Sequence, residues 1–219
     1  MPLLDEDSGD LRRDPDVPNA IITTWQITFS HIKTDHPSAA DLLSLMSVLN
    51  RQGIPEFLLL EENSDRLSIE AALALLLGYS FIITESGGNS FEMHRLVQLA
   101  TKKWLEVHGM IGKWNQQALR LLSDTFPNGD CLNWKLCESL LPHIEAVLSL
   151  SFQGRVDLQK ASILYNYSWY LWRKGNYQLS KSKIEQSLEI RKSYLDKKDE
   201  ILLRTFCSIW NCAHCQWPV

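Results

Sequence analysis

The strongest candidates for a ligand-binding site are His94 and Arg95, in the stretch 91–105 that reads FEMHRLVQLATKKWL. Phe91 and Met93 alternate with polar residues as in a strand, and the apolar residues after Arg95 recur at helical spacing. His94 is therefore predicted at the entrance of a helix, beside unpaired backbone N–H groups and the positive end of the helix dipole. A neutral histidine there can donate one hydrogen bond to a phosphate oxygen, while the backbone amides supply more. The alternative is a histidine that caps the helix or lies buried with its hydrogen bonds satisfied.

The other histidines and the cysteines are weaker candidates for a binding or metal site. Surface or helix-end positions are predicted for His31, His36, His108 and His143. Thiolates and an imidazole that zinc could bind come from Cys207, Cys212, His214 and Cys215. A structural zinc site usually needs a second ligand pair at a defined spacing, and none follows here. We therefore predict no metal site.

No catalytic constellation is recognisable in the sequence. The nearest imitation of a phosphate loop, GMIGKW at 109–114, has the wrong spacing and lacks the Ser or Thr that would hold magnesium. No Ser/His/Asp or Cys/His arrangement stands out either. We therefore predict that this chain is not an enzyme, with no catalytic residues and no cofactor of its own.

The composition is that of a soluble globular protein. Of 219 residues, 45% are hydrophobic and 22% charged, and the net charge of −4 provides no global basic field for a nucleic acid. No apolar run is long enough to span a bilayer, and the acidic N-terminus lacks the features of a secretory signal. A cytoplasmic protein with five reduced cysteines and no membrane partner is expected.

Several helices and a hairpin are predicted to position His94. Residues 1–19, with six acids and three prolines, are interpreted as an acidic linker. The predicted helices start at Asn19, at Pro37 with a stop at Gly53, at Ile54 for a short turn to Leu60, and at Ser68 as cap with a stop at Gly78. The segments YSFIITE and SFEM, separated by SGGN, predict a β-hairpin before the helix that follows His94.

This order of elements over residues 20–108 is typical of a winged-helix domain. The alternative is an unrelated small α+β domain. A DNA-binding winged helix needs basic or amide side chains on its recognition helix, but the predicted helix SIEAALALLL has one acid and no base. The predicted wing carries Glu85 and Glu92 and no cation, so we expect no nucleic-acid partner.

The rest of the chain is predicted to be helical. Residues 109–156 are interpreted as a helical connector and residues 157–219 as a tetratricopeptide-like region, within which residues 161–190 fit the repeat template. The template positions are taken by Leu164, Tyr167, Ser168, Leu171, Gly175, Tyr177, Ser180 and Ile184, while Lys192 stands at the proline place. The alternative is an ordinary helical hairpin with a glycine turn. Since a lone repeat cannot bury its own face, the repeat array is expected to be truncated here.

The ordered segments resemble a known family. PNAIITTWQITFSHI, AADLLSLMSVLNRQGIPEFLL, FEMHRLVQLATKKWL and LLPHIEAVL, followed by a tetratricopeptide-like repeat, resemble fungal NB-ARC proteins with tetratricopeptide tails. These belong to the STAND class of nucleotide-switched signalling ATPases, related to apoptosome proteins and NOD-like receptors. The resemblance runs from about residue 12 to residue 200.

The resemblance implies a role for the residues around His94. In that family the winged helix carries a Met-His-Asp motif, whose histidine touches the β-phosphate of bound ADP. Met93 and His94 match the first two places, and Arg95 replaces the aspartate. The family's phosphate loop and magnesium-binding aspartates lie upstream of the region matched here, so ADP or ATP with magnesium is implied only for a full-length protein.

The expected function is therefore that of a non-catalytic rear fragment. Its winged helix would sense ADP on a separate, upstream nucleotide-binding domain, and its repeats would bind a protein partner. The alternatives are a stand-alone helical and tetratricopeptide adaptor and, less favoured, a winged-helix DNA-binding regulator.

Overall fold

The structure is a computed structural model that describes residues 16–60, 66–150, 152, 157–195, 201 and 205, with the backbone alone for residues 16–24. It is mainly helical, as the sequence predicts, with one small sheet among the described residues. None of the described helices is long and apolar enough to cross a membrane.

The front half of the chain surrounds the sheet. In chain order its elements are α1 (Asp16–Asp35), α2 (Pro37–Val48), β1 (Ile54–Pro55), α3 (Glu56–Leu59), α4 (Arg66–Gly78), β2 (Ile82–Thr84), β3 (Ser90–Met93) and α5 (Arg95–Val107). The rear half is helical in its described part, with α6 (Ile111–Thr125), a short 3-10 helix (Cys131–Asn133), α7 (Trp134–Leu148), α8 (Asp157–Arg173) and α9 (Tyr177–Tyr194).

The predicted hairpin is present, and a third strand joins it. β2 and β3 pair antiparallel with Ile82 opposite Met93, and β1 pairs on the other side of β3 with Ile54 opposite Phe91. Ile54 and Pro55 were predicted as the start of a helical turn, which is wrong. Their pairing with β3 is a long-range contact that leaves no local signal, and α3 begins only after Pro55.

Several helix boundaries differ from those predicted. α1 begins at Asp16 instead of Asn19, because Pro18 fits within the first turn of a helix. α2 ends at Val48, well before Gly53. The Nε2 amide of Gln98 on α5 donates to the carbonyl oxygens of Ser47 (3.0 Å) and Leu49 (2.9 Å), which satisfies acceptors at this helix end. The segment from 1 to 15 lies outside the described residues.

α4 also begins earlier than predicted. It includes Arg66 and Leu67, so Ser68 lies inside the helix and does not cap it. The Ser68 hydroxyl lies 3.3 Å from the hydroxyl of Ser38 on α2. The predicted C-terminal residue of this helix, Gly78, agrees with the structure.

One hydrophobic core extends across the predicted boundary between residues 108 and 109. α2 is the central helix, and its side chains Leu43 and Met46 have no exposed surface. Trp114 and Leu119 of α6 are buried in the same cluster. The predicted winged-helix region and connector therefore share a core and pack as one unit.

The loop between α6 and α7 lies directly against α8. Gly129 is so close that an added Cβ would lie 2.2 Å from the backbone nitrogen of Tyr170. The Trp134 indole N–H donates to the Gly129 carbonyl at 3.1 Å, and the Asn166 amide on α8 donates to the Phe126 carbonyl at 3.0 Å. The first bond orders the loop, and the second joins α8 to the connector.

Candidate functional site

His94 lies at the entrance of α5, as its sequence context predicts. It is the N-cap residue in extended conformation, with φ −62° and ψ 135°. The Leu96 backbone N–H donates to Nδ1 of His94 at 3.3 Å, which satisfies one of the unpaired donors of the first turn. The helix-capping alternative is therefore observed.

The cap leaves the second ring nitrogen available. A neutral imidazole whose Nδ1 accepts a hydrogen bond carries its proton on Nε2. His94 is exposed, and Nε2 has no partner among the described residues. Capping and phosphate contact are therefore compatible roles, since they use different nitrogens.

Backbone hydrogen bonds to Phe81, just before β2, and to Arg51, in the loop before β1, hold the residues around His94. The His94 N–H donates to the Phe81 carbonyl at 3.3 Å, and the Met93 N–H donates to the Arg51 carbonyl at 2.7 Å. Met93 itself is fully buried, whereas Arg95 is exposed. Of the three residues of the predicted motif, Met93 therefore anchors the strand, and His94 and Arg95 face solvent.

Sequence reasoning missed a polar network beside this site, centred on residues 50–53, which we call the α2–β1 loop. The guanidinium of Arg51 pairs with the carboxylate of Glu92 on β3. The Gly53 N–H donates to Glu85 Oε1 at 2.9 Å, and the Ser90 hydroxyl donates to the other oxygen of Glu85 at 2.7 Å. The loop is therefore tied to both sides of the hairpin.

His143 of α7 reaches the same loop from the other side. It has no exposed surface, and its Nε2 lies 3.0 Å from the Gly53 carbonyl oxygen. A surface or helix-end position was predicted for His143, which is wrong because the residue faces the shared core at mid-helix. Within the described part of the chain, its buried Nδ1 has no hydrogen-bond partner.

Burial sets the ionisation of His143. Desolvation lowers the pKa of the imidazole, and the carbonyls of Gly53 and Asn50 and the carboxylate of Glu85 only partly oppose it. The neutral ring, with its proton on Nε2, donates to Gly53. The other three histidines of this group agree with their predicted positions: His31 is exposed, His36 precedes α2, and His108 follows α5.

Most of the predicted repeat residues lie between α8 and α9. The buried ones are Leu164, Tyr167, Ser168, Leu171, Ser180 and Ile184. Gly175 forms the turn with φ +80°, a conformation that favours glycine. Tyr177 differs, since 53% of its side chain is exposed at the first position of α9.

Serine hydroxyls join the two helices at their closest approach. Ser180 on α9 donates to the Ser168 carbonyl at 2.8 Å, and Ser187 donates to the Ala161 carbonyl at 2.7 Å. Both bonds are buried. Small side chains at these positions allow the backbones to approach while their hydroxyls satisfy a carbonyl of the facing helix.

α8 is also joined to α7 by hydrogen bonds to carboxylates. The Tyr167 hydroxyl donates to Glu145 at 2.9 Å, and burial together with this carboxylate raises the pKa of the phenol. Lys174 donates to Glu138 at 2.7 Å, which raises the pKa of the lysine, and its ammonium lies 4.1 Å from the centre of the Trp134 ring. These contacts join the α8–α9 hairpin to the connector.

A groove of about 930 Å³ lies between α3, α6 and the start of α8. Its two cations already have partners within the chain. Lys113 lies over the ring of Trp114, and Arg120 is 3.9 Å from Asp124. Neither cation points to a defined ligand.

α4 carries one cation that the predicted helix did not include. Arg66 donates to Glu70 at 2.9 Å on the same exposed face. Since this guanidinium is paired with an acid, α4 offers little that would contact the phosphates of DNA.

The structure describes two of the five cysteines. Cys131 and Cys137 are free thiols. Cys207, Cys212, His214 and Cys215 lie outside the described residues. Beyond residue 195 the structure describes only Ile201 and Thr205, which are helical. The guanidinium of Arg191, a buried residue, donates to the hydroxyl of Thr205.

Comparison with known proteins gives two matches. Residues 30–109 match the model of a domain of unknown function, DUF7779. Over 188 residues, or 85% of this chain, the sequence is 34% identical to a protein of Hyaloscypha variabilis named "Nucleotide-binding leucine-rich repeat (NLR)-like protein". The chain spans 18% of the length of that relative. No solved structure matches.

This chain is thus similar to one part of an NLR-like fungal protein. The relative's name refers to leucine-rich repeats, which contribute a strand in each repeat. Residues 111–150 and 157–195 of this chain contain no strand, so the part described here is a different kind of structure.

Proposed function

We propose that this chain is a non-catalytic regulatory part of an NB-ARC signalling ATPase of the STAND class. Its front half acts as a winged helix that senses ADP, and α8–α9 form a tetratricopeptide-like repeat that binds a protein partner. The ADP or ATP, with its magnesium, is held by a separate nucleotide-binding domain, and the protein acts in the cytoplasm. Similarity to an NLR-like protein supports this assignment.

The position of His94 is the observation that carries the proposal. Its Nδ1 caps α5 and thereby fixes the ring, while Nε2–H is directed away from the cap. α5 has 13 residues, so its first turn presents N–H groups and the positive end of a full helix dipole. A phosphate oxygen placed there can accept from Nε2–H and from the backbone, as anions do at helix entrances.

The order of elements supports the winged-helix part of the proposal. Helices α2 and α4 pack together ahead of the β2–β3 hairpin, which corresponds to the wing, and α5 closes the unit. The paired Arg66 and the acidic residues Glu85 and Glu92 disfavour contact of this face with the phosphates of DNA.

The α8–α9 hairpin supports the repeat part. Its glycine turn and the two buried serine bonds bring the helices together as the template requires. The exposed Tyr177, at the start of α9, is available to a partner.

The test uses the Hyaloscypha variabilis relative with this chain in place of its matched region. We expect His94→Ala to speed ADP release about tenfold or more, because a hydrogen bond to a charged group contributes about 1.5–3 kcal/mol. His94→Asn keeps a good N-cap residue but shortens the reach, so it should speed release similarly while the fold stays intact. His31→Ala, on exposed α1, is the control. Unchanged ADP release in both His94 variants would refute the role of His94.

A further inference from the structure

The α2–β1 loop lies between α7 and the hairpin that carries His94. On one side, His143 donates from Nε2 to the Gly53 carbonyl at 3.0 Å. On the other side, the Gly53 N–H donates to Glu85, and the carbonyl of Arg51 accepts from Met93 at 2.7 Å. A short chain of hydrogen bonds therefore runs from α7 through one loop to the residue before His94.

We propose that His143 is a proton-controlled latch, which joins α7 to the β2–β3 hairpin when neutral and releases the α2–β1 loop when protonated. The latch itself is a property of this chain. Its effect on ADP rests on the proposed function, because it acts by positioning His94.

The geometry makes the latch depend on the charge of the ring. Nε2–H already donates to Gly53, and the buried Nδ1 has no partner among the described residues. A second proton would therefore add a donor and a positive charge to a site without exposed surface. Moving the loop away and admitting water relieves both costs.

The charged groups around His143 do not cancel this effect. The carbonyls of Gly53 and Asn50 on the loop and, from the hairpin, Glu85 all favour the protonated ring, but burial outweighs them. Arg51 and Glu92, on the loop and on β3, neutralise each other as an ion pair. On α7 itself, Glu138 and Glu145 bond to α8, and the helical step of about 100° per residue places them opposite His143.

The direction of the pH effect follows from the lowered pKa. In the released state the imidazole titrates near its ordinary pKa of about 6.5. The latched state binds the proton less readily, so the latch has its full strength above about pH 6.5 and weakens as the pH falls below it. Opening increases about tenfold for each pH unit between the two pKa values.

Release of the loop removes a support of His94. Met93 loses the acceptor at Arg51, and the Gly53–Glu85 bond at the turn end of the hairpin opens with it. β3 ends at Met93, so the position of the following N-cap residue becomes less fixed. Acidification is thus expected to loosen the site without unfolding α8–α9.

Amide hydrogen exchange of the full chain, followed by NMR from about pH 7.5 to about pH 5, tests the latch without any nucleotide. The reporters are the amides of Gly53 and Met93, and the reference is the amide of Ile184 on α9. After correction for intrinsic exchange rates, we expect protection of the reporters to fall about tenfold per pH unit through the titration of His143, with Ile184 unchanged. His143→Gln keeps an amide donor for Gly53 but cannot titrate, so it should abolish the step.

Glu85→Gln provides a second variant that keeps an acceptor for the Gly53 N–H. Loss of this carboxylate makes His143 harder to protonate, so the step should move to lower pH. The latch is refuted if reporter protection in the wild type is independent of pH, if His143→Gln keeps the step, or if Ile184 loses protection in parallel. If the step is present but His94 variants leave ADP release unchanged, the latch stands and the proposed function fails.

Discussion

Gly129 lies directly against the backbone of Tyr170, with no room between them for a side chain. A Cβ on Gly129 would lie 2.2 Å from the nitrogen and 2.4 Å from the Cα of Tyr170. The neighbouring Asp130 lies 3.6 Å from Arg173, and Trp134 donates to the Gly129 carbonyl, so the loop cannot withdraw without losing these contacts. This contact sets the distance between the connector and α8.

Gly129→Ala is expected to destabilise the chain by roughly 1–3 kcal/mol or more, because the added methyl group meets backbone that cannot rotate away. For a chain of this size, each kcal/mol corresponds to a fall of about 2–4 °C in Tm. Gly112→Ala is the matched control, since nothing lies within 4 Å of its Cβ position and α6 tolerates alanine. Equal melting temperatures for the two variants in thermal denaturation would contradict the close approach.

The serine bonds between α8 and α9 predict a size limit at Ser180. Ser180→Ala keeps the small volume and loses one hydrogen bond to Ser168, at a cost of about 1 kcal/mol. Ser180→Leu should cost about 1–3 kcal/mol, because the larger side chain separates the helices. Ser182→Leu, exposed on the same helix, should stay within about 0.5 kcal/mol. Urea unfolding of the three variants measures these differences, and a tolerated leucine at position 180 would disprove the close packing.

His94 should contribute to stability as a helix cap. His94→Ala removes the acceptor of the Leu96 N–H and should cost about 1 kcal/mol in this chain. His94→Asn should recover most of that loss, because asparagine is among the best N-cap residues. Chemical denaturation followed by circular dichroism compares the two. A loss of several kcal/mol in both variants would show that His94 has structural contacts beyond the cap.

Tyr167 should make the chain sensitive to alkali. Its pKa is raised in the folded state, so the unfolded chain loses the phenolic proton first, above about pH 10. The stabilisation from this group is therefore complete below about pH 10 and is lost as the pH rises further. Tyr167→Phe should cost about 1.5–3 kcal/mol at neutral pH, because its hydrogen bond goes to the charged Glu145.

The alkaline test compares the slope of stability against pH in the two proteins. Tyr167→Phe should flatten the slope but not remove it, because the pKa values of Tyr170 and Tyr194 are also raised. An identical slope in wild type and variant would rule out the Tyr167–Glu145 bond as its source.

The sequence predicts correctly those features that depend on residues close together in the chain. The entrance of α5 at His94 follows from strand alternation that gives way to helical spacing, and the hairpin follows from two glycines between β-rich segments. The glycine turn at Gly175 and the small residues of α8 and α9 could likewise be placed by counting positions.

What the sequence could not provide were contacts between distant segments. β1 exists because Ile54 meets Phe91, and nothing near Ile54 distinguishes it from the start of a helix. His143 seemed an ordinary helical histidine, because its partner Gly53 lies 90 residues away. Residues 16–19 were predicted to belong to a linker, because the segment before them is rich in acidic residues and proline. The same residue types also suit the first turn of a helix, and these residues form the start of α1.

The core shared by α2 and α6 has a consequence for how this protein can be dissected. Nine of the twelve residues of α2 are buried, so the helix depends on neighbours on every side, α6 among them. A recombinant piece ending at residue 108 would lose Trp114 and Leu119 and expose apolar surface on α2. Because Tyr167 and Leu171 of α8 belong to the same core, expression boundaries, protease cleavage sites and gene fusions are better placed beyond α9 than at the apparent junction or after α7. A natural exchange of the front half should bring α6, α7 and α8 with it.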